Sequence, residues 1–236
     1  MKVPLFVIYQ RRESRMRKKL YNCLRLVLGI GLLVSLIPQV DAQAQIVSGL
    51  DYAPYTYFLH YDYLGEGNEF TEQQVTLEYG VDSEGYYQFV INNPGIRMAY
   101  VYRITDDGVY EEAYFPDAKP GVDYREEADA RDDQRSLILP TEIQIGTKYQ
   151  RGYRKEQTIE VTDILEQFEV GGARYLNVIE LTVHDPDPTI EQKYYYAPKV
   201  GLLLDQFKTK TSETDEYVVT TTLNYFSGMS QRLLEK

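Results

Sequence analysis

Two histidines, His60 and His184, are the only side chains whose ordinary pKa puts a proton transfer near neutral pH. They fall in different predicted strands, with no serine or cysteine nucleophile pattern beside either, and on the face opposite each strand's apolar stripe. Surface histidines fit that placement, and no residue is assigned a catalytic role. Carboxylates are abundant, so folding could assemble an acid–base pair of the kind that cleaves glycosides. A solvated acidic surface explains the same abundance with nothing added. For a hard cation, the run Asp123 to Asp133 and the turn Asp185-Pro186-Asp187 offer oxygen ligands, but neither has the ordered spacing of a calcium loop. There is no histidine–cysteine cluster for zinc, and Gly65-Glu66-Gly67 lacks the third glycine and following helix of a phosphate loop. No metal or cofactor is expected.

Tyrosine is the unusual residue: 21 of the 23 lie beyond the leader, and tryptophan is absent. A tyrosine buries its ring while its hydroxyl seeks a polar partner, which suits a β-core edge or a recognition surface. Tyr194, Tyr195 and Tyr196 are consecutive, so a strand must send them to both faces. They are the candidate ligand contacts, and core packing accounts for most of the other tyrosines.

The elements that position these residues are strands. Period-two alternation runs through Tyr55 to Tyr63, Val75 to Tyr79, Tyr87 to Ile91 and Met98 to Ile104. Turn signals separate the runs at Gly65 to Asn68, Asp82 to Gly85, Asn92 to Gly95 and Asp106 to Gly108. The pattern predicts an up-and-down meander as far as Phe115. Pro116 to Arg135 reads as a solvated acidic loop with room for a short helix at Glu126 to Arg131. Strands resume at Leu137 to Pro140, Lys148 to Tyr153 and Thr158 to Ile164, although Ile159 to Phe168 also carries a faint helical period. Gly171-Gly172 reads as a hairpin turn into Tyr175 to Val183. Tyr194 to Ala197, Leu202 to Phe207 and Tyr217 to Phe226 complete the set. The fold expected is mainly β: an antiparallel meander forming a curved sheet or open half-barrel, behind an N-terminal signal helix.

Charge sorts the chain into a leader and a body. Met1 to Arg25 holds eight basic residues and one acidic, whereas Gln45 onward holds 17 basic against 34 acidic. A body this acidic is a poor partner for nucleic acid or anionic lipid, whose affinity comes from neutralised negative charge. Leu26 to Ile37 is a 12-residue apolar run, preceded by Arg17, Lys18, Lys19 and Arg25 and followed by Ala42-Gln43-Ala44. Those are the three parts of a cleavable secretory signal. The run is shorter than the ~20 residues of a bilayer span. The reading is a signal peptide over 1–44 cut between Ala44 and Gln45, a single β domain over 45–226 and a flexible tail over 227–236. An uncleaved signal anchor is the competing reading and would give the only membrane contact. Met16 is the expected translation start, because it stands directly ahead of the basic cluster; precursor peptides spanning Val3 to Arg11 would refute that. The sole cysteine, Cys23, precedes the apolar run, so the body has no disulfide and the signal is not of the lipoprotein type.

Four stretches carry a family resemblance: Tyr63 to Phe70 (YLGEGNEF), Val101 to Gly108 (VYRITDDG), Leu139 to Tyr149 (LPTEIQIGTKY) and Tyr194 to Leu203 (YYYAPKVGLL). Together they resemble an uncharacterised family of extracytoplasmic β-domains of Gram-positive bacteria, the last two resembling its P-x-x-x-G-T-x-W and Y-Y-A-P-G-V-G-L pieces. The resemblance covers most of Asp51 to Phe226. Tyr149 stands where the family usually has tryptophan, and Lys199 where it usually has glycine. What the resemblance implies is a curved antiparallel sheet, similar to the open barrels of lipoprotein carriers, and an envelope location; it implies no activity. The function expected is a non-enzymatic secreted or envelope-associated binding or assembly module whose partner is an envelope protein, a wall glycan or an amphiphile. A carrier of lipid or another amphiphile is the alternative, and a carboxylate-dependent hydrolase the second.

Overall fold

The computed structural model describes residues 45–212 and 215–234. The leader, the Met16 start and the cleavage point after Ala44 lie outside the described residues. The strands are β1 (Val47–Ser48), β2 (Phe58–Glu66), β3 (Gln73–Tyr79), β4 (Tyr86–Asn93), β5 (Ile96–Thr105), β6 (Gly108–Phe115), β7 (Ser136–Pro140), β8 (Glu142–Ile143), β9 (Lys148–Arg151), β10 (Gln157–Val170), β11 (Ala173–His184), β12 (Ile190–Ala197), β13 (Gly201–Lys210) and β14 (Glu216–Met229). Twelve of them form one antiparallel sheet in the order β7-β6-β5-β4-β3-β2-β14-β13-β12-β11-β10-β9, while β1 pairs with β8 alone. The sheet is nearly closed into a barrel.

One-residue bulges at Glu78, Glu112, Ile138, Thr162, Leu203 and Asn224 bend the strands that carry them. They bring the edge strands β7 and β9 together without a backbone ladder between them. The bulge at Ile138 takes its carbonyl out of the β6 pairing, and the Tyr149 hydroxyl donates to it at 2.7 Å. The Gly152 amide donates to the Ser136 hydroxyl at 2.8 Å. Side chains thus close the seam. A buried carbonyl left without that donor costs about 1–3 kcal/mol.

One end of the barrel is filled by the chain entering β2. Tyr55 has a positive φ of 58°, which turns the segment out of strand geometry. The Tyr52 hydroxyl donates to the Asn177 carbonyl at 2.8 Å, the Tyr87 hydroxyl to the Pro54 carbonyl at 3.1 Å, and the Lys199 amide to the Asp51 carbonyl at 2.7 Å. Tyr55 and Tyr57, predicted as strand, therefore plug the barrel. Lys199 itself sits at φ 60°, the left-handed conformation that glycine adopts without steric cost.

Pro116 to Arg135 is a strap on the outer face of β4, β5 and β6, where the sequence predicts a solvated loop. Ala118 of the strap packs on Val90 and Ala99 in one small buried cluster, and Ala130 on Tyr86, Val101 and Ala113 in another. Phe115 stacks on Tyr124 at 4.5 Å between the ring centroids. The buried Gln88 anchors the strap: its Nε2 donates to the Val122 carbonyl at 2.9 Å, and its Oε1 accepts from the Tyr124 amide at 2.7 Å. Helix is limited there to a 3-10 turn over Ala128–Ala130. Ser227 to Met229, predicted as tail, continue β14 and pair with β2 as far as Phe58. A short helix, α1 (Gln231–Leu234), follows, and Arg232 Nη2 donates to the Leu50 carbonyl at 2.7 Å. Ile159 to Phe168 lies within β10, so the faint helical period there is overruled by pairing with β11.

Candidate functional site

The inward face of each strand follows from its period. In β9, Tyr149 and Arg151 point in and Gln150 out; in β12, Tyr194 and Tyr196 point in and Tyr195 out; register then sets Asp205 of β13 opposite Tyr194. In β6 the bulge at Glu112 keeps Glu111 inside while sending Ala113 to the strap side. These residues converge on a cavity of about 220 Å³ in the lumen, floored by Pro54 and Tyr55 and walled by Phe89, Tyr100, Tyr102, Glu111, Arg151, Tyr194, Tyr196 and Asp205. Half-buried Gln73 and Ile91 lie at its border.

The cavity holds charge of both signs. Arg151 Nη1 is buried and makes no hydrogen bond, and the guanidinium carbon lies 4.8 Å from the centroid of the Tyr194 ring. The Tyr102 hydroxyl donates to Glu111 Oε2 at 2.9 Å and the Tyr153 hydroxyl to Oε1 at 2.8 Å. Asp205 accepts one long bond, 3.3 Å, from Gln192 Nε2, which also donates to the Tyr194 hydroxyl at 2.7 Å. Burial raises the Asp205 carboxyl above the usual carboxylate range, against the Gln192 hydrogen bond and the Arg151 charge. Burial likewise raises the Tyr102 hydroxyl, with Glu111 adding to it, and raises the Tyr196 hydroxyl against the pull of Arg151.

The three candidate tyrosines divide as their spacing requires. Tyr194 and Tyr196 line the lumen, whereas Tyr195 stacks on Phe168 with ring centroids 4.6 Å apart and forms a second packing layer. His60 is exposed with Thr76 Oγ1 3.4 Å from its Nδ1, and His184 is exposed and bonded through Nε2 to Glu160 Oε2 at 2.5 Å. Asp123, Glu126, Asp132, Asp185 and Asp187 of the two candidate cation loops are committed to turns and ion pairs. Asp123 is held at 2.8 Å by Arg125, Asp185 caps the Asp187 amide, and Asp187 caps Thr189. Among the described residues no group of three or more histidine, cysteine, aspartate or glutamate side chains converges as a metal site. Arg151 and Asp205 were not singled out from sequence. The signal for Arg151 was present, since it shares the inward phase with Tyr149 of its own short strand; Asp205 needed the register across β12.

A larger groove of about 840 Å³ lies at the plugged end, between the β3–β4 and β5–β6 turns and the C-terminal segment. Turn backbone makes much of its wall. Arg103 Nε donates to the Glu84 carbonyl and Arg232 Nη2 to Leu50, while Arg232 Nη1, like Arg151 Nη1, is buried without a partner. The lumen differs in bringing an arginine, two carboxylates and a tyrosine wall to one cavity, and it is the stronger site on that ground. No family model, curated protein or solved structure matches this chain. What the lumen does rests on its own chemistry.

Proposed function

We propose that this protein is a non-enzymatic, extracytoplasmic recognition module that takes a small polar ligand, or the polar end of a larger one, into its barrel lumen. The observation that carries the reading is Arg151, a half-buried cation without a carboxylate partner whose Nη1 is fully buried and unbonded in a tyrosine-walled cavity. Export is supported by the basic leader, its short apolar run and the Ala42-Gln43-Ala44 exit. The carrier alternative is less well supported. At about 220 Å³ the cavity falls below the roughly 300–1,000 Å³ of pockets for drug-sized ligands. An acyl tail there would also leave Arg151 and Asp205 facing hydrocarbon, at about 1–3 kcal/mol or more for each unsatisfied group.

The reading is tested by a thermal-shift screen of small polar metabolites and, in parallel, of fatty acids and phospholipids, on the native protein and on Arg151→Met. A polar compound that stabilises only the native protein supports it. Stabilisation by acyl chains that survives Arg151→Met overturns it in favour of a carrier. One observation favours a second reading, a hydrolase: Glu111 and Asp205 share the pocket in unlike environments, with Asp205 raised by burial. Turnover of a glycan or peptide that is abolished by both Glu111→Gln and Asp205→Asn would establish that reading instead.

A further inference from the structure

None of the ion pairs among the described residues involves Arg151, Glu111 or Asp205. The three differ in how far neutral neighbours already serve them. Each oxygen of Glu111 receives a tyrosine hydroxyl. The Tyr194 and Tyr196 hydroxyls serve part of the Arg151 guanidinium but leave its Nη1 without an acceptor, and Asp205 has a single long bond from an amide that is shared with Tyr194. One cation and one carboxylate therefore line the same cavity, each short of partners and neither bonded to the other.

We propose that the lumen binds a zwitterion about the size of one amino acid, with its carboxylate on Arg151 and its ammonium on Asp205. This deepens the reading of the lumen as a ligand site and rests on it. A simple anion would satisfy Arg151 but bring a like charge toward Asp205 and Glu111. A simple cation would do the reverse toward Arg151, and a neutral polyol would give both charges only dipoles. A ligand of both signs desolvates the two together and adds no uncompensated charge. The rings of Phe89, Tyr100, Tyr102 and Tyr196 leave an aromatic wall for its side chain. The space, about 220 Å³, is below that of a drug-sized ligand and suits one about the size of a single residue.

The experiment is calorimetric titration of the purified full chain with the common amino acids in both enantiomers, then with the N-acetyl and amide derivatives of the best binder, and with glucose and acetate. The expected result is that at least one free amino acid binds, while masking either charge weakens binding at least about tenfold. Asp205→Asn should erase the penalty of N-acetylation, and Arg151→Met that of amidation. Because the derivative series is read on the native protein, it stands even if a variant fails to fold. Equal binding of free and masked forms, or no amino-acid binding, overturns the inference. Glucose or acetate binding that depends on Arg151 would overturn the zwitterion yet keep the lumen as a site. If Arg151→Met alters no binding that the native protein shows, both readings fall.

Discussion

Raising the pH should unfold this protein through its tyrosines. Tyr52, Tyr55, Tyr61, Tyr63, Tyr87 and Tyr102 are buried, and burial raises every one of their hydroxyls above the ordinary value of 10.0, Tyr52 to about 12. A group whose folded pKa lies above its unfolded one contributes stability that is complete below the unfolded value and is lost as pH rises toward and through the folded one. At about pH 11 each unfolded tyrosine gains about 1.4 kcal/mol by ionising while its folded counterpart stays protonated. Six such groups amount to roughly 8 kcal/mol, within the 5–15 kcal/mol that holds a typical domain together. The native state should therefore collapse near pH 11. Phenolate absorbance and far-ultraviolet circular dichroism, followed together from neutral pH upward, should show the exposed tyrosines titrating first and the buried set ionising in one step coincident with loss of β-structure. Smooth titration of all the tyrosines near their ordinary value, with the sheet intact, would refute the claim that the plug and lumen bury them.

Tyr149→Phe removes the hydroxyl that spans the seam to the Ile138 carbonyl and should cost about 1–3 kcal/mol, read as a lower urea midpoint with an unchanged slope. An unchanged midpoint would mean that the seam is held otherwise. Gln88→Ala strips the strap of its anchor, leaving the Val122 carbonyl and Tyr124 amide short of partners. It should cost about 2–4 kcal/mol and speed proteolysis between residues 116 and 135; cleavage elsewhere first would contradict the assignment. Lys199→Gly relieves a left-handed φ of 60° while keeping the amide that holds Asp51, so it should raise stability by about 1 kcal/mol in the same urea assay.

Much of the sheet was legible because alternation and turn chemistry are local. Val75 and Leu77, or Tyr87 and Phe89, declare an inward face within one strand, and Asp106-Asp107-Gly108 declares the turn that follows β5. What escaped depended on distant partners. Ala99 and Val101 gave no sign of being covered, because the strap that buries them lies beyond the next strand and is acidic along its length. Bulges such as those at Glu112 and Ile138 change the period without a residue signature, and closure between β7 and β9 follows from them. Tyr55 and Tyr57 kept the strand period while serving as a plug. In the candidate site, the split of Tyr194, Tyr195 and Tyr196 across two faces was readable from their adjacency. The convergence of Arg151 and Asp205 on one cavity was not, since it depends on strands brought together by register and barrel closure.

The central claim is that the barrel lumen around Arg151 is where this protein takes its ligand. Native mass spectrometry of the protein recovered from its own host, beside the Arg151→Met variant, tests it most directly. The account predicts a small polar species that leaves the native protein on mild activation and is missing from the variant. A long-chain amphiphile, or any species retained equally by Arg151→Met, would contradict it.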